Sequence, residues 1–461
     1  MGRFVEFDFA HWHGTSLLKD TYQAYVPHPL GDWLPTPNAD TMERFAEAQH
    51  RLSDLTDSIE NTPALRWCLN RTEAIASSSV EGIETTLRSI SLLDSLRGQR
   101  RHTTDLNDEQ ALGNALMHSY ALELGDDSSR PLSVADIEDL HRRLFKGTAT
   151  DFEPGRLRTE PAWVGDDLRT PHGAAYVAPP HELVPSLMGD LVEYASRPMW
   201  GSPVAKAAFV HTQFETIHPF PDGNGRVGRA LMHLVMRRDG RLPVAAPLSA
   251  AIDARKMSYY DSLRPYQTFT GDSDDAERAA AMYASAEFVA DAMSVACTYT
   301  TLIADALSNW RRQCDDRRFR ADSAASEILQ IMQTMPALTQ SRIAEEVGRP
   351  LRSVTRALRQ LVDAELIAEV PDSESGERVF QVPAILYVVD NRRDLLDQCW
   401  LLHARESANV IDLLQEQVTA AIDAQQHAPE EPRAQPRCGH VGTRRRKKCI
   451  RRAGHSGNHS Y

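Results

Sequence analysis

The stretch HPFPDGNGRVGR, residues 218–229, decides how the rest of the chain is interpreted. Before it, Ser202 and Pro203 fit the N-cap and the first position of a helix. Apolar residues follow at helical spacing up to the stretch, and they resume the same period after it as far as Val235. The stretch therefore predicts a loop between two helices, with Gly223-Asn224-Gly225 opening the second helix.

The residue types in this loop suit the binding of phosphates. The first amides of a helix lack internal partners and carry partial positive charge, and two glycines let an anion approach them closely. Arg226 and Arg229 share one helix face, where they can bind further phosphate oxygens. Asp222 offers hard oxygen ligands for Mg²⁺, and His218 is a base that titrates near neutrality. Each residue alone is commonly a turn or surface residue, but the combination predicts transfer of a phosphate-bearing group to a hydroxyl.

HPFPDGNGRVGR resembles the signature HxFx(D/E)GNGRxxR of Fic-domain proteins at every fixed position. The resemblance implies a mainly α fold, in which a Fic-type helical core carries a small β-hairpin flap. It also implies an enzyme that transfers AMP from ATP to a Ser, Thr or Tyr hydroxyl of a protein, with Mg²⁺ required. The likeness covers roughly residues 20–270 in order.

The resemblance also implies a role for each residue of the loop. His218 would deprotonate the target hydroxyl, Asp222 would hold Mg²⁺, and Phe220 would anchor the loop in the core. The remaining residues would bind phosphates, namely Gly223, Asn224 and Gly225 as the anion hole and Arg226 and Arg229 on the outer phosphates.

Composition is that of a globular protein. Of the 461 residues, 42% are hydrophobic and 25% are charged, so we expect two or three domains with ample cores. No apolar run is long enough for a membrane span, and the N-terminus lacks a signal peptide's apolar core. Six scattered cysteines do not indicate a disulfide framework, so we expect a cytoplasmic location. The net charge of −13 argues against wholesale nucleic-acid binding but permits a local basic patch.

An inhibitory helix is predicted ahead of the core. A helix from about Pro63 to Ser79 ends in Ser77-Ser78-Ser79-Val80-Glu81-Gly82, which resembles the family's inhibitory (S/T)xxxE(G/N) pattern. Glu81 would pair bidentately with Arg229 and occupy the group that should hold the γ-phosphate. The alternative is an ordinary helix end with a solvated glutamate and a glycine stop.

Two further predictions concern the substrates. Short β-prone runs at residues 163–165 and 175–180 resemble the family's flap, which would hold the target's acceptor segment by strand addition; the alternative is a hairpin without that role. Arg255, Tyr259 and Tyr260 resemble the family's R..YY..L segment, in which Tyr260 would border the adenine, or both tyrosines pack in the core. The family's usual Trp-x-x-Phe-Phe continuation is missing, which leaves other nucleotides open.

The C-terminal part predicts a winged helix-turn-helix domain. Helices over Gln340–Glu346 and Leu351–Asp363 precede two β-prone runs, at residues 366–368 and 378–380, which would form a two-stranded wing. Arg352, Arg356 and Arg359 line the second helix and suit DNA phosphates; the alternative is a module for protein contacts or dimerisation. An amphipathic helix over residues 395–425 would follow.

The tail contains four residues of metal-ligand type at wide gaps. Cys438, Cys449, His455 and His459 could form a tetrahedral Zn²⁺ site, and the alternative is a disordered basic tail.

The predicted parts of the chain are an N-terminal arm with helices that include the inhibitory one (1–107), the catalytic core with flap (108–318), the winged helix (319–392), a helix (393–426) and the linker with its basic tail (427–461).

These features leave two classes of function. The first is an autoinhibited protein adenylyltransferase, whose targets include its own chain, although transfer of another phosphate-linked group or removal of AMP would use the same loop. The second is a DNA-binding regulator whose Fic core senses nucleotide or modifies itself. The oligomeric state is not readable from the sequence, and a homodimer is one candidate.

Overall fold

The computed structural model describes residues 2–13, 16–95, 105–165, 171, 173–198, 201–240, 244–270, 275–371, 378–404, 415–416, 418 and 420. All of them belong to one compact unit, Met1–Ile422. Within this described part, none of the helices combines the length and the apolar character that a membrane span needs.

Helices dominate, which confirms the predicted fold class. The helices up to the end of the central region are α1 (Ala39–Ser58), α2 (Pro63–Val80), α3 (Leu87–Ser95), α4 (Leu106–Asp126), α5 (Val134–Leu144), α6 (Val184–Ser196), α7 (Pro203–Ile217), α8 (Asn224–Gly240), α9 (Leu248–Ala254), α10 (Lys256–Gln267) and α11 (Asp275–Asp316). The helices after it are α12 (Ala324–Met332), α13 (Gln340–Val347), α14 (Leu351–Asp363), α15 (Pro383–Asp390) and α16 (Arg392–His403).

The two helices around the motif begin and end as the sequence predicts. The side chain of Ser202 accepts a hydrogen bond from the Ala205 amide and caps α7, and Pro203 occupies its first turn. Helix α8 begins at Asn224. Because every residue of α7 after Pro203 is buried, this helix pair lies inside the molecule and gives the loop a rigid base.

The N-terminal residues form a β-hairpin that the sequence analysis did not predict. Strand β1 (Arg3–His13) pairs antiparallel with β2 (Ser16–Val26) over its whole length. The prediction of an N-terminal arm was therefore incomplete, because it did not include the pairing of β1 with β2. The alternation in Val5-Glu6-Phe7-Asp8, where Val5 and Phe7 are partly buried and the acids are exposed, is the period-two signal that could have revealed it.

The predicted flap is present as a short hairpin. Strand β3 (Trp163–Val164) pairs antiparallel with β4 (Tyr176–Val177). The Tyr176 hydroxyl donates to the carbonyl of Thr216 on α7, and its ring contacts that of Tyr25 edge-on at 6.4 Å between centroids. The flap is thus tied to the end of α7, directly before the loop.

The winged-helix region differs from its prediction in its sheet. Strands β5 (Ala337–Thr339), β6 (Ala368–Pro371) and β7 (Arg378–Gln381) form one sheet in the order β5-β7-β6. The predicted two-stranded wing is present as β6 and β7, and the short segment before α13 adds a third strand, β5, on the other side of β7. The first wing strand, β6, begins at Ala368 and not at residue 366 as predicted. Leu366 and Ile367 precede the strand and are buried in the core. Helix α16 begins three residues before the predicted one, most of whose C-terminal half lies outside the described residues.

Candidate active site

The loop between α7 and α8 is held in shape partly by its own residues. His218 ends α7 in the left-handed conformation, with φ of 49°, and its amide donates to the carbonyl of Phe214. The Phe220 amide donates to Asn224 Oδ1 at 2.9 Å, and Asn224 Nδ2 donates back to the Phe220 carbonyl at 2.8 Å. Phe220 is fully buried, as its predicted anchoring role requires, and stacks on His141 at 4.0 Å between ring centroids.

The start of α8 leaves amides without helical partners. The first helical bond runs from the Val227 amide to the Gly223 carbonyl, so the amides of Asn224, Gly225 and Arg226 precede it. Gly223 has φ of 78°, and a Cβ there would lie 2.8 Å from Leu144. Glycine is therefore required at this position both for its backbone conformation and for space.

His218 is neutral at pH 7. Burial and the nearby positive charge of Arg158 lower the pKa of His218 to about 4. A hydrogen bond to the backbone of Glu215 offsets part of this lowering. A neutral imidazole has one unprotonated ring nitrogen, which can accept a proton.

Arg158 connects the catalytic loop to the flap. Its Nε donates to the carbonyl of His218 at 2.8 Å, and its Nη1 and Nη2 donate to the carbonyls of Glu160 and Pro179 at 2.9 and 2.6 Å. Its own amide donates to the Pro219 carbonyl at 2.8 Å. One buried guanidinium thus fixes the backbone at His218 and both ends of the flap.

Asp222 is the most accessible acid of the loop, with 61% of its side chain exposed. Its Oδ1 accepts from the Gly223 amide, and its Oδ2 lies 3.6 Å from Arg226 Nη2. Its carbonyl accepts from His141 Nε2 at 3.0 Å, because Nδ1 of that ring accepts from the Gly155 amide and so leaves the proton on Nε2. Asp222 is therefore positioned through its backbone while most of its side chain remains exposed.

Arg229 is engaged by the end of α2. Its Nη2 donates to Glu81 Oε1 at 2.8 Å and to the Ser77 carbonyl at 2.7 Å, and its Nε donates to Ser77 Oγ at 3.0 Å. The predicted pairing with Glu81 is present. The predicted bidentate geometry was wrong, because Arg229 Nε, which would donate the second bond to the Glu81 carboxylate, donates to Ser77 Oγ instead.

Glu81 lies directly over the start of α8. It is the C-cap of α2, followed by Gly82 with φ of 78°. A Cβ built on Gly225 would come within 2.2 Å of Glu81 Oε1. Burial alone would raise the pKa of Glu81, but the charge of Arg229 reverses this, so the net pKa lies below its usual value and the group is ionised. A carboxylate therefore occupies the space next to the amides and arginines.

Comparison with known proteins agrees with this geometry. Residues 131–236 match the Fic/DOC family, and residues 322–368 match the winged helix-turn-helix DNA-binding family. Residues 131–236 form a Fic domain.

The relatives cover parts of the chain. It is 37% identical over 134 residues to protein adenylyltransferase fic-1 of Caenorhabditis briggsae, covering 29% of this chain and 24% of that relative. It is 29% identical over 240 residues to protein adenylyltransferase fic-1 of Caenorhabditis elegans, covering 50% and 43%. The chain thus matches less than half the length of these curated relatives. A solved Fic family protein from Desulfovibrio desulfuricans G20 aligns with 76% of this chain and 98% of its own, at 24% identity and a TM-score of 0.46.

The predicted inhibitory segment, at the end of α2, lies outside the residues that match the Fic family. Tyr260 lies beside this segment, because its hydroxyl donates to the Val80 carbonyl at 3.2 Å and Lys256 lies 5.8 Å from its ring centroid. Tyr259 is buried and bonds His211 Nε2 at 2.8 Å. Tyr259 therefore packs in the core, whereas Tyr260 lies at the edge of the site. The alternative in which both tyrosines pack in the core does not hold for Tyr260.

A buried carboxyl group lies beneath the Fic loop. Burial raises the pKa of Glu215 to about 8, and the opposing charge of Arg229 only partly offsets this. Its Oε1 has no hydrogen-bond partner among the described residues. Glu215 is therefore protonated at neutral pH and adds no negative charge below Arg229.

Among the described residues, Glu73, His118 and His233 form one buried cluster of metal-ligand type. Arg71 Nη1 donates to Asn70 Oδ1 at 2.6 Å, so the amide nitrogen of Asn70 faces His118 Nδ1 at 2.9 Å. His118 Nδ1 therefore accepts, and its proton lies on Nε2. A ring in that state offers no lone pair to a metal.

We interpret this cluster as a hydrogen-bonded connection between helices. Glu73 of α2 accepts from the Ser249 amide of α9 at 2.8 Å, and its Oε1 lies 3.2 Å from His233 Nε2 of α8. The predicted zinc ligands Cys438, Cys449, His455 and His459 lie outside the described residues, so that site stays a prediction.

Sequence reasoning missed the residues that hold the Fic loop in place. No role was assigned to Arg158 or to His141 from the sequence. Both are identified by buried polar atoms that bond loop carbonyls across long stretches of chain, for which a single sequence has no signal. The assignment of Asn224 to the anion hole concerns its backbone amide, and its side chain has a separate use within the loop.

Proposed function

We propose that this chain is an autoinhibited protein adenylyltransferase that transfers AMP from ATP to a Ser, Thr or Tyr hydroxyl of a protein, its own chain included. The observation that carries the proposal is the convergence of His218, Asp222, the first amides of α8 and two buried arginines around one loop. The names of the relatives that match the Fic domain favour AMP transfer over other phosphate-linked groups.

In the proposed reaction the target hydroxyl oxygen attacks the α-phosphorus of ATP, and pyrophosphate leaves. Neutral His218 takes the hydroxyl proton. The amides of Asn224, Gly225 and Arg226 bind phosphate oxygens at the positive end of α8. Arg226 and Arg229 bind the outer phosphates, and Tyr260 borders the adenine.

The carboxylate of Asp222 fits a Mg²⁺ ion, because its side chain is largely exposed and carboxylate oxygens are ligands that Mg²⁺ prefers. When bound, the ion would neutralise phosphate charge. His141 supports this role by holding the Asp222 carbonyl, so the backbone does not have to be ordered on binding.

Autoinhibition is proposed because Glu81 and an outer phosphate of ATP would compete for Arg229. The ion pair between Glu81 and Arg229 lies where that phosphate is expected, and the Glu81 carboxylate adds a negative charge beside the amides. ATP could then bind only with its α-phosphate misaligned for in-line attack.

The test compares transfer of α-labelled AMP by four forms of the full chain with Mg²⁺, alone and with cell lysate. The forms are the wild type, Glu81→Gly, Glu81→Gly with His218→Ala, and Asp127→Gly. Asp127 is a matched control, since it is an acidic C-cap on α4. We expect label only with Glu81→Gly. Equal labelling by wild type and Glu81→Gly would contradict the proposed autoinhibition, and no label with any form would contradict the proposed AMP transfer.

A second candidate function, DNA binding, is favoured by the surface of α14. Arg352, Arg356 and Arg359 are exposed and lie on one face at spacings of four and three. The match to a DNA-binding winged-helix family supports the same interpretation.

The test measures the affinity for duplex DNA by fluorescence anisotropy at several salt concentrations. Replacing the three arginines with alanine should flatten the salt dependence by about 0.9 in log–log slope for each phosphate that the protein no longer neutralises. Replacing them with lysine keeps the charge and should preserve the slope. Unchanged DNA binding by the alanine variant would show that α14 is not the DNA-binding surface.

The proposed location is the cytoplasm. The cysteines that the structure describes, Cys68, Cys297, Cys314 and Cys399, are free thiols, which fits a reducing compartment that supplies ATP.

A further inference from the structure

The residues on both sides of Glu81 are bound by one arginine from a distant part of the chain. Arg393 of α16 donates from Nη2 to Ser79 Oγ at 2.6 Å and to Glu84 Oε1 at 2.9 Å. Ser79 lies two residues before Glu81, and Glu84 lies three residues after it. Arg393 therefore spans the turn that presents the inhibitory carboxylate.

A buried aspartate completes this contact. Arg393 Nε lies 3.3 Å from Asp253 Oδ2, and the Ser79 hydroxyl donates to Asp253 Oδ1 at 3.1 Å. Arg392, next to Arg393, approaches the same carboxylate at 3.6 Å. Because only 2% of the Asp253 side chain is exposed, it anchors α16 and the end of α2 to α9.

The same region also holds the helix that follows the inhibitory turn. Asp390 Oδ1, at the end of α15, accepts from the amide of Leu87, the first residue of α3, at 2.7 Å. The chain from the end of α2 to the start of α3 is thus bound at both ends by residues of α15 and α16. Among the described residues, Glu81 itself is hydrogen-bonded to Arg229 and to the backbone of the turn.

Helices α15 and α16 continue directly from the winged-helix sheet. Strand β7 ends at Gln381, the Val382 amide donates to the Pro336 carbonyl beside β5, and α15 begins at Pro383. The Tyr299 hydroxyl of α11 also donates to the Val388 carbonyl of α15. A shift of the winged-helix sheet would therefore reach Arg393 through one short, packed helix pair.

We propose that Arg393 is a positioning residue for Glu81, and that the helices after the winged helix thereby set how strongly the Fic site is inhibited. This inference rests on the proposed function, because it concerns the regulation of the same site. Arg393 does not touch the catalytic loop. It acts by keeping the turn at Gly82 in the conformation that directs Glu81 toward Arg229.

The test uses the full chain and two readouts, AMP labelling and amide hydrogen exchange over residues 77–85. The variants are Arg393→Ala, Arg393→Lys and Asp397→Ala. Asp397 is a matched control because it lies on the same helix and pairs with Arg255, away from the inhibitory turn. Glu81→Gly serves as the fully released reference.

We expect Arg393→Ala to raise labelling about fivefold over wild type and to speed exchange over residues 77–85, since a few hydrogen bonds to a charged group are lost. Labelling and exchange in Arg393→Lys should fall between those of Arg393→Ala and wild type. The lysine ammonium can retain the contact with Glu84 but not the contacts with Ser79 and Asp253 as well. Asp397→Ala should match wild type in both readouts. In a Glu81→Gly background, Arg393→Ala should add nothing to labelling.

Two results would overturn the inference. One is wild-type labelling and exchange in Arg393→Ala while Glu81→Gly is strongly labelled. The other is an equal change in Asp397→Ala, which would assign the effect to docking of α16 in general. If Glu81→Gly carries no label, the enzyme proposal fails by itself, and the exchange rates over residues 77–85 in Arg393→Ala against Asp397→Ala still decide whether Arg393 holds the turn.

Discussion

The catalytic loop and the inhibitory turn face each other across the same site, but they are held by different kinds of contact. The loop combines bonds within a few residues, such as those between Asn224 and the backbone of Phe220, with bonds from Arg158 and His141 to its carbonyls. The inhibitory turn is held against its surroundings by two residues far away in sequence, Arg229 and Arg393. The loop therefore keeps its local bonds when a distant contact is lost, whereas the turn can be released by a change at either distant partner.

This difference predicts the largest effect for a break inside the loop. In the Glu81→Gly background, Asn224→Ala should lower AMP labelling about a hundredfold, because misplacing the start of α8 misaligns the reacting groups. Asn391→Ala is the matched control, since Asn391 Nδ2 makes the same type of bond to the carbonyl four residues earlier, at Tyr387. Labelling of Asn224→Ala at the level of this control would mean that the loop does not depend on its local bonds.

A smaller effect, of the opposite sign, is expected at the inhibitory helix. Ser77→Ala in the otherwise wild-type chain should raise labelling about fivefold, because Arg229 loses one of its bonds to α2. Ser78→Ala is the control, since the Ser78 hydroxyl bonds Asn114 and does not contact Arg229. A fall in labelling with Ser77→Ala would instead assign Ser77 to the active state.

The smallest effect concerns pH. His218 must be neutral to accept a proton, and its pKa of about 4 lies below the usual value, so activity is lost only as pH falls toward 4. Glu81→Gly does not reverse this, because the charge of Glu81 raises the pKa of His218. Single-turnover labelling by Glu81→Gly should thus stay within about twofold between pH 7.5 and 5.5, whereas an ordinary histidine would lose about nine-tenths of its neutral form.

Circular dichroism at each pH should accompany this measurement. Burial also lowers the pKa of His118 and His211 to about 3, so the free energy of unfolding is expected to fall below pH 6.5. A loss of activity centred near pH 6.5 in a fully folded sample would contradict the low pKa of His218.

The elements that could be predicted share one property, which is that their signals are local. Ser202 and Thr339 cap helices that the sequence predicts, because a side-chain oxygen and an amide three residues later are enough to define a helix start. The N-terminal hairpin was missed although its alternation was present. The third strand of the wing sheet was missed because β5 has only three residues, and its pairing with β7 spans some forty positions.

The sequence by itself determined the catalytic loop, since the base, the metal-type carboxylate, the glycines and the arginines are contiguous and their helices are set by local spacing. It also indicated Glu81 and Arg229 as partners. Only the tertiary structure decided that Ser77 shares Arg229, that Arg158 and His141 hold the loop, and that Arg393 holds the inhibitory turn. These contacts join residues distant in sequence through single polar atoms, and which atoms meet depends on how the helices pack.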